Sequence, residues 1–189
     1  MNGIYIFNIY KRLYSNHNSA YYFDLLMKHL NFNYKSNDII RNVNGKPYLK
    51  NNPFYFSITH SGEYLIIAIS DKQIGIDTEM IKERKLNKVI DYAFNNKEIA
   101  LIKIEGLTKF YELWCSKEAV CKFYGLGINL NFKDIDIIHN TLVYKNKVYN
   151  YPKPYHFKFE NYILAIICEE ICFPFYYDET INDFKYFKY

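Results

Sequence analysis

The sequence predicts an α+β fold built from two similar halves, each a small antiparallel sheet packed with a long helix. Two groups of segments rich in β-branched and aromatic residues are separated by a helical region. Within these groups, EYLIIAIS at residues 63–70 is similar to NYILAIIC at residues 161–168, about half the chain further on. We therefore expect an N-terminal half over residues 1–100 and a C-terminal half over residues 101–189, packed against each other.

Composition places the chain among globular proteins. Of its 189 residues, 50% are apolar and 23% are charged, which excludes a disordered chain. The net charge of +4 arises from scattered lysines rather than from a basic patch, so no nucleic-acid partner is expected. The four cysteines show no CxxC spacing, which argues against a zinc site or a disulfide framework.

No segment has the pattern of a membrane span or a secretion signal. The longest apolar run, residues 64–69, is far shorter than the ~20 residues that a membrane span requires. The N-terminal residues lack a long apolar run and a small-residue cleavage site. We expect a cytoplasmic protein with no membrane partner, and the abundance of Lys, Asn, Ile and Tyr suggests a bacterium with an AT-rich genome.

The elements of the N-terminal half follow from residue patterns. Apolar residues recur at helical spacing over residues 18–30, and two β-rich runs separated by HSGE indicate a hairpin. The glycine and proline of GKP at residues 45–47 mark a loop. The predicted strands cover residues 4–9, 54–59, 64–70 and 73–78.

The middle of the chain is predicted to be helical over residues 87–93, 96–105 and 108–124. The last of these has the clearest signals, because Thr108 can cap its start and Gly125 stands where a C-terminal glycine belongs. Strands are expected to return afterwards, at residues 135–138, 142–144, 155–160 and 162–168.

Two carboxylates on one predicted strand are candidates for a metal site. In IGIDTE, Asp77 and Glu79 are two residues apart and share a strand face, roughly 7 Å from each other. Such like charges are unfavourable unless a cation offsets them, and Mg²⁺ is held by a few carboxylates together with ligand phosphates. The alternative is a solvated strand end, which needs no metal.

A row of side chains on the predicted long helix is the second candidate. In WCSKEAVCK, Trp114, Glu118 and Lys122 lie along one face of the helix. Glu followed by Lys four residues later is also a common surface ion pair, worth only ~0.3–0.5 kcal/mol. A lone tryptophan beside this pair is unusual for a solvent-exposed face and favours a functional role.

Two further segments could contact phosphate. His60, flanked by Thr59 and Ser61 at a strand end, can hold phosphate oxygens, although a lone turn histidine is more often structural. Lys46 in GKPY is presented by a loop, a pattern that carries little information by itself.

In the order GKPY, FSITHSGEYLIIAI, IGIDTE and LWCSKEAVCK, these segments resemble the signature of Sfp-type 4'-phosphopantetheinyl transferases. The resemblance is strong over residues 45–124, and FNNKE at residues 94–98 is similar to a further family segment. It implies a pseudo-dimer of α+β halves in one chain, with no need to dimerise, so we expect a monomer. It also implies transfer of phosphopantetheine from coenzyme A to a serine of an acyl or peptidyl carrier protein. The alternatives are a related module that binds coenzyme A or a carrier protein without turnover, and a purely structural protein.

The resemblance implies a metal site and a catalytic base. Asp77, Glu79 and Glu118 would hold Mg²⁺ on the pyrophosphate of coenzyme A, and Mn²⁺ is expected to substitute. Glu118 or Glu98 would help to remove the proton of the acceptor serine.

The same resemblance implies contacts to coenzyme A. Lys122 and His60 would neutralise phosphate oxygens, and Thr59 would add a hydroxyl or backbone contact. Lys46 would lie beside the nucleotide.

At the nucleotide end this sequence departs from the family pattern. Members usually carry an arginine at the start of the first long helix, where this chain has Asn, Ser and Ala at residues 18–20. Lys11, Arg12 or Lys28 are the candidates to replace that arginine.

Overall fold

The chain forms helices and strands close to those that its sequence predicts. The computed structural model describes residues 2–9, 19–51, 53–127, 130–170, 172–178 and 180–186. The helices are α1 (Ser19–His29), α2 (Asn87–Ala93), α3 (Asn96–Glu105) and α4 (Leu107–Tyr124). The strands are β1 (Gly3–Asn8), β2 (Ile39–Arg41), β3 (Pro47–Leu49), β4 (Tyr55–Ser61), β5 (Tyr64–Ser70), β6 (Ile74–Met80), β7 (Ile135–Asp136), β8 (Thr141–Tyr144), β9 (Lys147–Asn150), β10 (Tyr155–Phe159), β11 (Tyr162–Cys168), β12 (Phe173–Asp178) and β13 (Asp183–Tyr186).

The strands form sheets that confirm the predicted α+β class. The largest sheet has the order β13-β12-β1-β5-β4, and a three-stranded sheet has the order β10-β11-β6. β2 pairs with β3, and β7, β8 and β9 form another small sheet. The pair β1–β12 is parallel, and the other pairs that involve the two main sheets are antiparallel.

One strand arrangement occurs twice. β1, β5 and β4 are antiparallel neighbours in that order, as are β6, β11 and β10. In the first hairpin Ser61 lies opposite Tyr64, and in the second Phe159 lies opposite Tyr162. α1 contributes to the core beneath the first sheet and α4 to the core beneath the second. Both main sheets thus contain the same order of three antiparallel strands with a helix packed against it.

The strand with the two acidic residues belongs to the second sheet. The predicted boundary near residue 100 assigns β6 to the N-terminal half, whereas β6 is hydrogen-bonded to β11, with Asp77 opposite Ala165. The short link from β5 to β6 therefore passes from one sheet to the other instead of closing a hairpin. By strand pairing, the second sheet begins at Ile74 rather than near residue 100.

The long helix α4 ends as predicted but begins differently. Gly125 adopts the left-handed conformation with φ of 66°, and its N–H donates to carbonyls of the last helical turn. At the other end Gly106 occupies the cap position and no side chain caps the helix, so the predicted Thr108 cap is wrong. Among the described helices, none combines the length and apolar character needed to cross a lipid bilayer.

Candidate active site

A close contact between β6 and α4 organises the site. Gly75 on β6 has no side chain, and a Cβ atom there would lie 2.2 Å from the Ala119 carbonyl oxygen and 2.4 Å from the Phe123 nitrogen. Only glycine allows the helix backbone to approach the strand this closely. The approach brings Glu118 and Lys122, one helical turn apart, beside the acidic end of β6.

Replacing Gly75 by alanine is expected to separate α4 from β6. Because the obstructing atoms are backbone, the helix must shift, at a cost of about 1–3 kcal/mol or more. We expect a lower melting temperature together with a loss of activity, measured by calorimetry and by turnover. A matched control is Gly45→Ala, since a Cβ at Gly45 would meet no atom within 4 Å, although its φ of 87° adds local strain. Equal losses in the two variants would contradict this account of the contact.

Six of the residues predicted from the sequence line one cavity. It has a volume of about 600 Å³ and lies between β4, β6 and α4. Trp114 also lines it, in the row with Glu118 and Lys122 that the helix pattern predicts. The six predicted residues are Thr59, His60, Asp77, Glu79, Glu118 and Lys122.

Asp77 is bonded to two other side chains of the cavity. Its Oδ1 atom accepts hydrogen bonds from Lys122 Nζ at 2.8 Å and from Thr59 Oγ1 at 3.0 Å. The Lys122–Asp77 pair is partly exposed at Lys122 and nearly buried at Asp77. Lys122 therefore offsets the aspartate charge rather than pairing with Glu118 as a surface lysine would.

The remaining carboxylates repel each other. Burial, followed by the charge of Asp77, raises the pKa of Glu118 to about 7. Burial and the charge of Asp77 also raise the pKa of Glu79, although a hydrogen bond from Ser61 opposes this shift. The cavity thus concentrates negative charge that a bound cation would stabilise.

The pH dependence of the melting temperature, measured with a chelator present, is expected to show the effect of these crowded carboxylates on Glu118. The folded protein holds a proton on Glu118 between pH 4.5 and about 7, where the unfolded chain has lost it. Because only the unfolded chain is ionised at Glu118 in this range, the free energy of unfolding falls as pH rises from 4.5 to about 7. Glu118→Gln removes the ionisable group. The melting temperature of this variant, relative to that of the unmodified protein, should therefore increase from pH 4.5 to about 7. A constant difference across the range would contradict the pKa shift.

The described residues do not form a preassembled metal centre. Among them, no group of three or more His, Cys, Asp and Glu side chains is already arranged to hold a metal ion. Asp77, Glu79 and Glu118 share the cavity, but Lys122 occupies one oxygen of Asp77. The carboxylate oxygens are nevertheless the ligand type that Mg²⁺ prefers.

Glu98 lies outside this cavity, in the core. It is fully buried and paired with Lys117, with 2.9 Å between Oε2 and Nζ. It also accepts hydrogen bonds from the backbone N–H groups of Asn95 and Ile137. Asn95 and Glu98 form a capping box at the start of α3, a pattern that the sequence N-x-x-E could have signalled.

Lys46 supports the end of α4. Its Nζ donates to the carbonyl oxygens of Phe123 at 3.1 Å and Ile74 at 3.3 Å. Burial lowers the pKa of Lys46 to about 8. The lysine of the GKP loop is therefore largely engaged within the protein, rather than presented by a free loop.

A second cavity of about 420 Å³ adjoins the first. The two share Glu118 and Lys122, so they form one continuous cleft. Arg41 on β2 and Lys46 line the second cavity, and Arg41 donates to the Gly45 carbonyl oxygen at 2.8 Å. Sequence reasoning missed Arg41, although it stands just before the GKP loop.

Of the residues predicted to replace the family arginine, the structure describes only Lys28. Ser19 and Ala20 line the second cavity, where the arginine is expected. Lys28 is exposed in the last turn of α1 and lines neither part of the cleft. Lys11 and Arg12 lie outside the described residues.

Comparison with known proteins finds matches to one enzyme family. The model of the 4'-phosphopantetheinyl transferase superfamily matches residues 73–167. The 4'-phosphopantetheinyl transferase gsp of Aneurinibacillus migulanus is 31% identical over 112 residues, which cover 56% of this chain and 46% of that protein. The 4'-phosphopantetheinyl transferase Sfp of Bacillus subtilis (strain 168) is 36% identical over 91 residues, covering 46% of this chain and 40% of that protein. The chain thus spans less than half the length of these relatives.

Proposed function

The chain belongs to the 4'-phosphopantetheinyl transferase superfamily, and we propose that it transfers the 4'-phosphopantetheine group of coenzyme A to a serine of an apo carrier protein. The observation that carries this proposal is the cleft in which Asp77, Glu79, Glu118 and Lys122 meet. Three carboxylates and a lysine around one cavity suit phosphoryl transfer, which depends on charge stabilisation and positioning.

The three carboxylates suit Mg²⁺ as a cofactor. This ion usually retains waters and binds through one or two carboxylates plus substrate phosphates, so a complete protein cage is not required. Asp77, Glu79 and Glu118 would hold it, and their crowding favours a divalent cation. When bound, Mg²⁺ supplies positive charge to the pyrophosphate oxygens of coenzyme A.

The protein side chains would supply the proton acceptor and part of the positive charge that the reaction needs. The serine oxygen forms a bond to the β-phosphorus of coenzyme A while the bond to the leaving 3',5'-ADP breaks. Glu118 is the better candidate to take the serine proton, because it lies in the cleft whereas Glu98 is buried against Lys117. Lys122 and the exposed His60 would stabilise charge on the phosphate oxygens.

Arg41 is the candidate reader of the adenosine 3'-phosphate. It lies in the second cavity, and a guanidinium can bind a phosphate through two hydrogen bonds. We expect Arg41→Ala to raise KM for coenzyme A about tenfold, since charge-assisted hydrogen bonds contribute about 1.5–3 kcal/mol. The KM for 3'-dephospho-coenzyme A should hardly change.

The comparison variant for Arg41 is Lys46→Ala. Because Lys46 caps α4, its loss should lower the melting temperature and weaken both forms of coenzyme A alike. If Arg41→Ala weakened both forms equally, Arg41 would not read the 3'-phosphate.

A basic segment beside the cleft suits the carrier protein. Lys82, Arg84, Lys85 and Lys88 are exposed directly after β6. The Arg84 guanidinium lies over the Tyr111 ring, 5.6 Å from its centroid, and its charge opposes the rise in the pKa of Glu79. Carrier proteins of this reaction present an acidic helix after the modified serine, and opposite charges steer such encounters.

The test is a transfer reaction followed by intact-protein mass spectrometry. Coenzyme A, Mg²⁺ and an apo carrier protein should give a carrier heavier by one phosphopantetheine group. A chelator should abolish the change, and Mg²⁺ or Mn²⁺ should restore it. Binding of coenzyme A or of the carrier without transfer would support the alternative of a non-catalytic module. If the protein kept its full activity in EDTA, Asp77, Glu79 and Glu118 would not be ligands of a metal ion that the reaction needs.

A further inference from the structure

Three hydroxyl side chains join the two main sheets at the cleft. β4 and β6 are edge strands of different sheets, so the outer N–H groups of β6 need acceptors from elsewhere. Side chains of β4 supply them at every second residue. The bonds run from Ile76 N to Ser57 Oγ at 3.1 Å, from Thr78 N to Thr59 Oγ1 at 3.2 Å and from Met80 N to Ser61 Oγ at 3.2 Å.

Two of these hydroxyls also bind the acidic side chains of β6. A hydroxyl has one proton to donate and can accept in addition. Thr59 donates to Asp77 Oδ1 at 3.0 Å, and Ser61 donates to Glu79 Oε2 at 3.1 Å. Among the described residues, no carboxylate accepts from Ser57. Each of the Thr59 and Ser61 hydroxyls thus bonds both to a backbone N–H of β6 and to a carboxylate of the same strand.

The repeated hairpin provides an internal comparison. By position relative to the hairpin turns, Tyr155, Phe157 and Phe159 of β10 correspond to Ser57, Thr59 and Ser61 of β4. All three positions of β10 are aromatic, and Phe157 and Phe159 share a core cluster with Ile4 and Ile6 of β1. By the same registers, Tyr5 and Phe7 of β1 correspond to Asp77 and Glu79 of β6. Of the two hairpins, the one with hydroxyls at these positions is therefore the one whose side chains bond to the acidic strand β6.

We propose that Thr59 and Ser61 are positioning residues that orient Asp77 and Glu79 as metal ligands. This inference rests on the proposed metal site of the transferase. A carboxylate that accepts a fixed hydrogen bond on one oxygen presents the other oxygen in a restricted range of directions. This proposal also gives Thr59 a role beyond contact with coenzyme A. Thr59 is buried, and its hydroxyl donates to Asp77.

Mn²⁺ binding separates positioning from structural support. Mn²⁺ alone, titrated into the full chain and followed by the electron paramagnetic resonance of the free ion, gives a dissociation constant without any turnover. Thr59→Val and Ser61→Ala should raise this constant about tenfold, the lower end of what the loss of such a hydrogen-bond partner costs. Ser61→Thr keeps the hydroxyl and should restore binding.

Ser57→Ala is the matched control. The Ser57 hydroxyl accepts a hydrogen bond from a backbone N–H of β6, as the hydroxyls of Thr59 and Ser61 do. All three variants should therefore show a similar decrease in melting temperature. The Mn²⁺ constant of Ser57→Ala should stay that of the unmodified protein. Equal Mn²⁺ affinity in all variants would overturn the positioning role and leave the metal site standing. If Mn²⁺ does not bind the unmodified protein, or binds Asp77→Asn equally well, both the metal site and this inference fail.

Discussion

Glu118→Gln is expected to lower kcat by roughly 100-fold or more, because it removes both a metal ligand charge and the proposed proton acceptor while keeping the side-chain shape. The fold should survive the change. Glu118 is partly buried near Asp77 and Glu79, and its charge is unfavourable there, as its raised pKa indicates. Turnover with a saturating carrier protein, together with thermal melting, checks both expectations.

The matched control is the other glutamate that the sequence offers as a base. Glu98→Gln leaves Lys117 without its buried partner, and removing one member of a buried pair costs about 3–5 kcal/mol. We therefore expect a large fall in the melting temperature of Glu98→Gln. The Glu98→Gln protein that remains folded at low temperature should keep its kcat. A stable Glu98→Gln variant with lost turnover, beside an active Glu118→Gln variant, would reverse the assignment of the base.

Local signals predicted the four described helices and eight of the strands, but not β2, β3, β9, β12 or β13. The helix over residues 108–124 differs from α4 by one residue at its start, because apolar periodicity and a C-terminal glycine are properties of contiguous sequence. The hairpin over residues 54–70 was equally accessible, since β-branched runs flank a short polar turn. The fold class and six residues of the cleft followed from such segments and from the family resemblance that they carry.

Long-range pairing could not be predicted in the same way. β6 follows β5 after a short link, and sequential strands usually pair with each other. Here β6 pairs with β11 instead, while Gly75 packs against α4 and the hydroxyls of β4 bond to the other edge of β6. The partners of residues 71–80 in these interactions lie on β4, α4 and β11, far away in sequence for α4 and β11.

The nucleotide end shows the same limitation of local patterns. GKP suggested a lysine presented to a ligand, whereas the Lys46 ammonium binds carbonyl oxygens at the end of α4. Arg41 belongs to a three-residue strand with no motif of its own, and only the fold brings it to the cleft. Tertiary packing brings Lys46 to the end of α4, which is distant from it in sequence.

Lys122→Ala is expected to reduce turnover by ~10²–10³, because it removes a positive charge from the place where phosphate oxygens gain negative charge. Lys122 borders both parts of the cleft and holds Asp77 through a 2.8 Å ion pair. Since about a third of the Lys122 side chain is exposed, the ion pair itself should contribute no more than about 1 kcal/mol to folding. Activity and stability should therefore separate in this variant.

Lys109 of the same helix provides the control. It forms ion pairs with Glu105 at 3.2 Å and Glu112 at 2.6 Å and lines neither part of the cleft. Lys109→Ala should change stability about as little as Lys122→Ala does and should leave turnover intact. Lys122→Arg keeps the charge but replaces a compact ammonium with a planar guanidinium, so partial activity is expected. If Lys122→Ala turns over as fast as Lys109→Ala, the lysine only neutralises Asp77, and the phosphate charge must be stabilised by His60 and the metal ion alone.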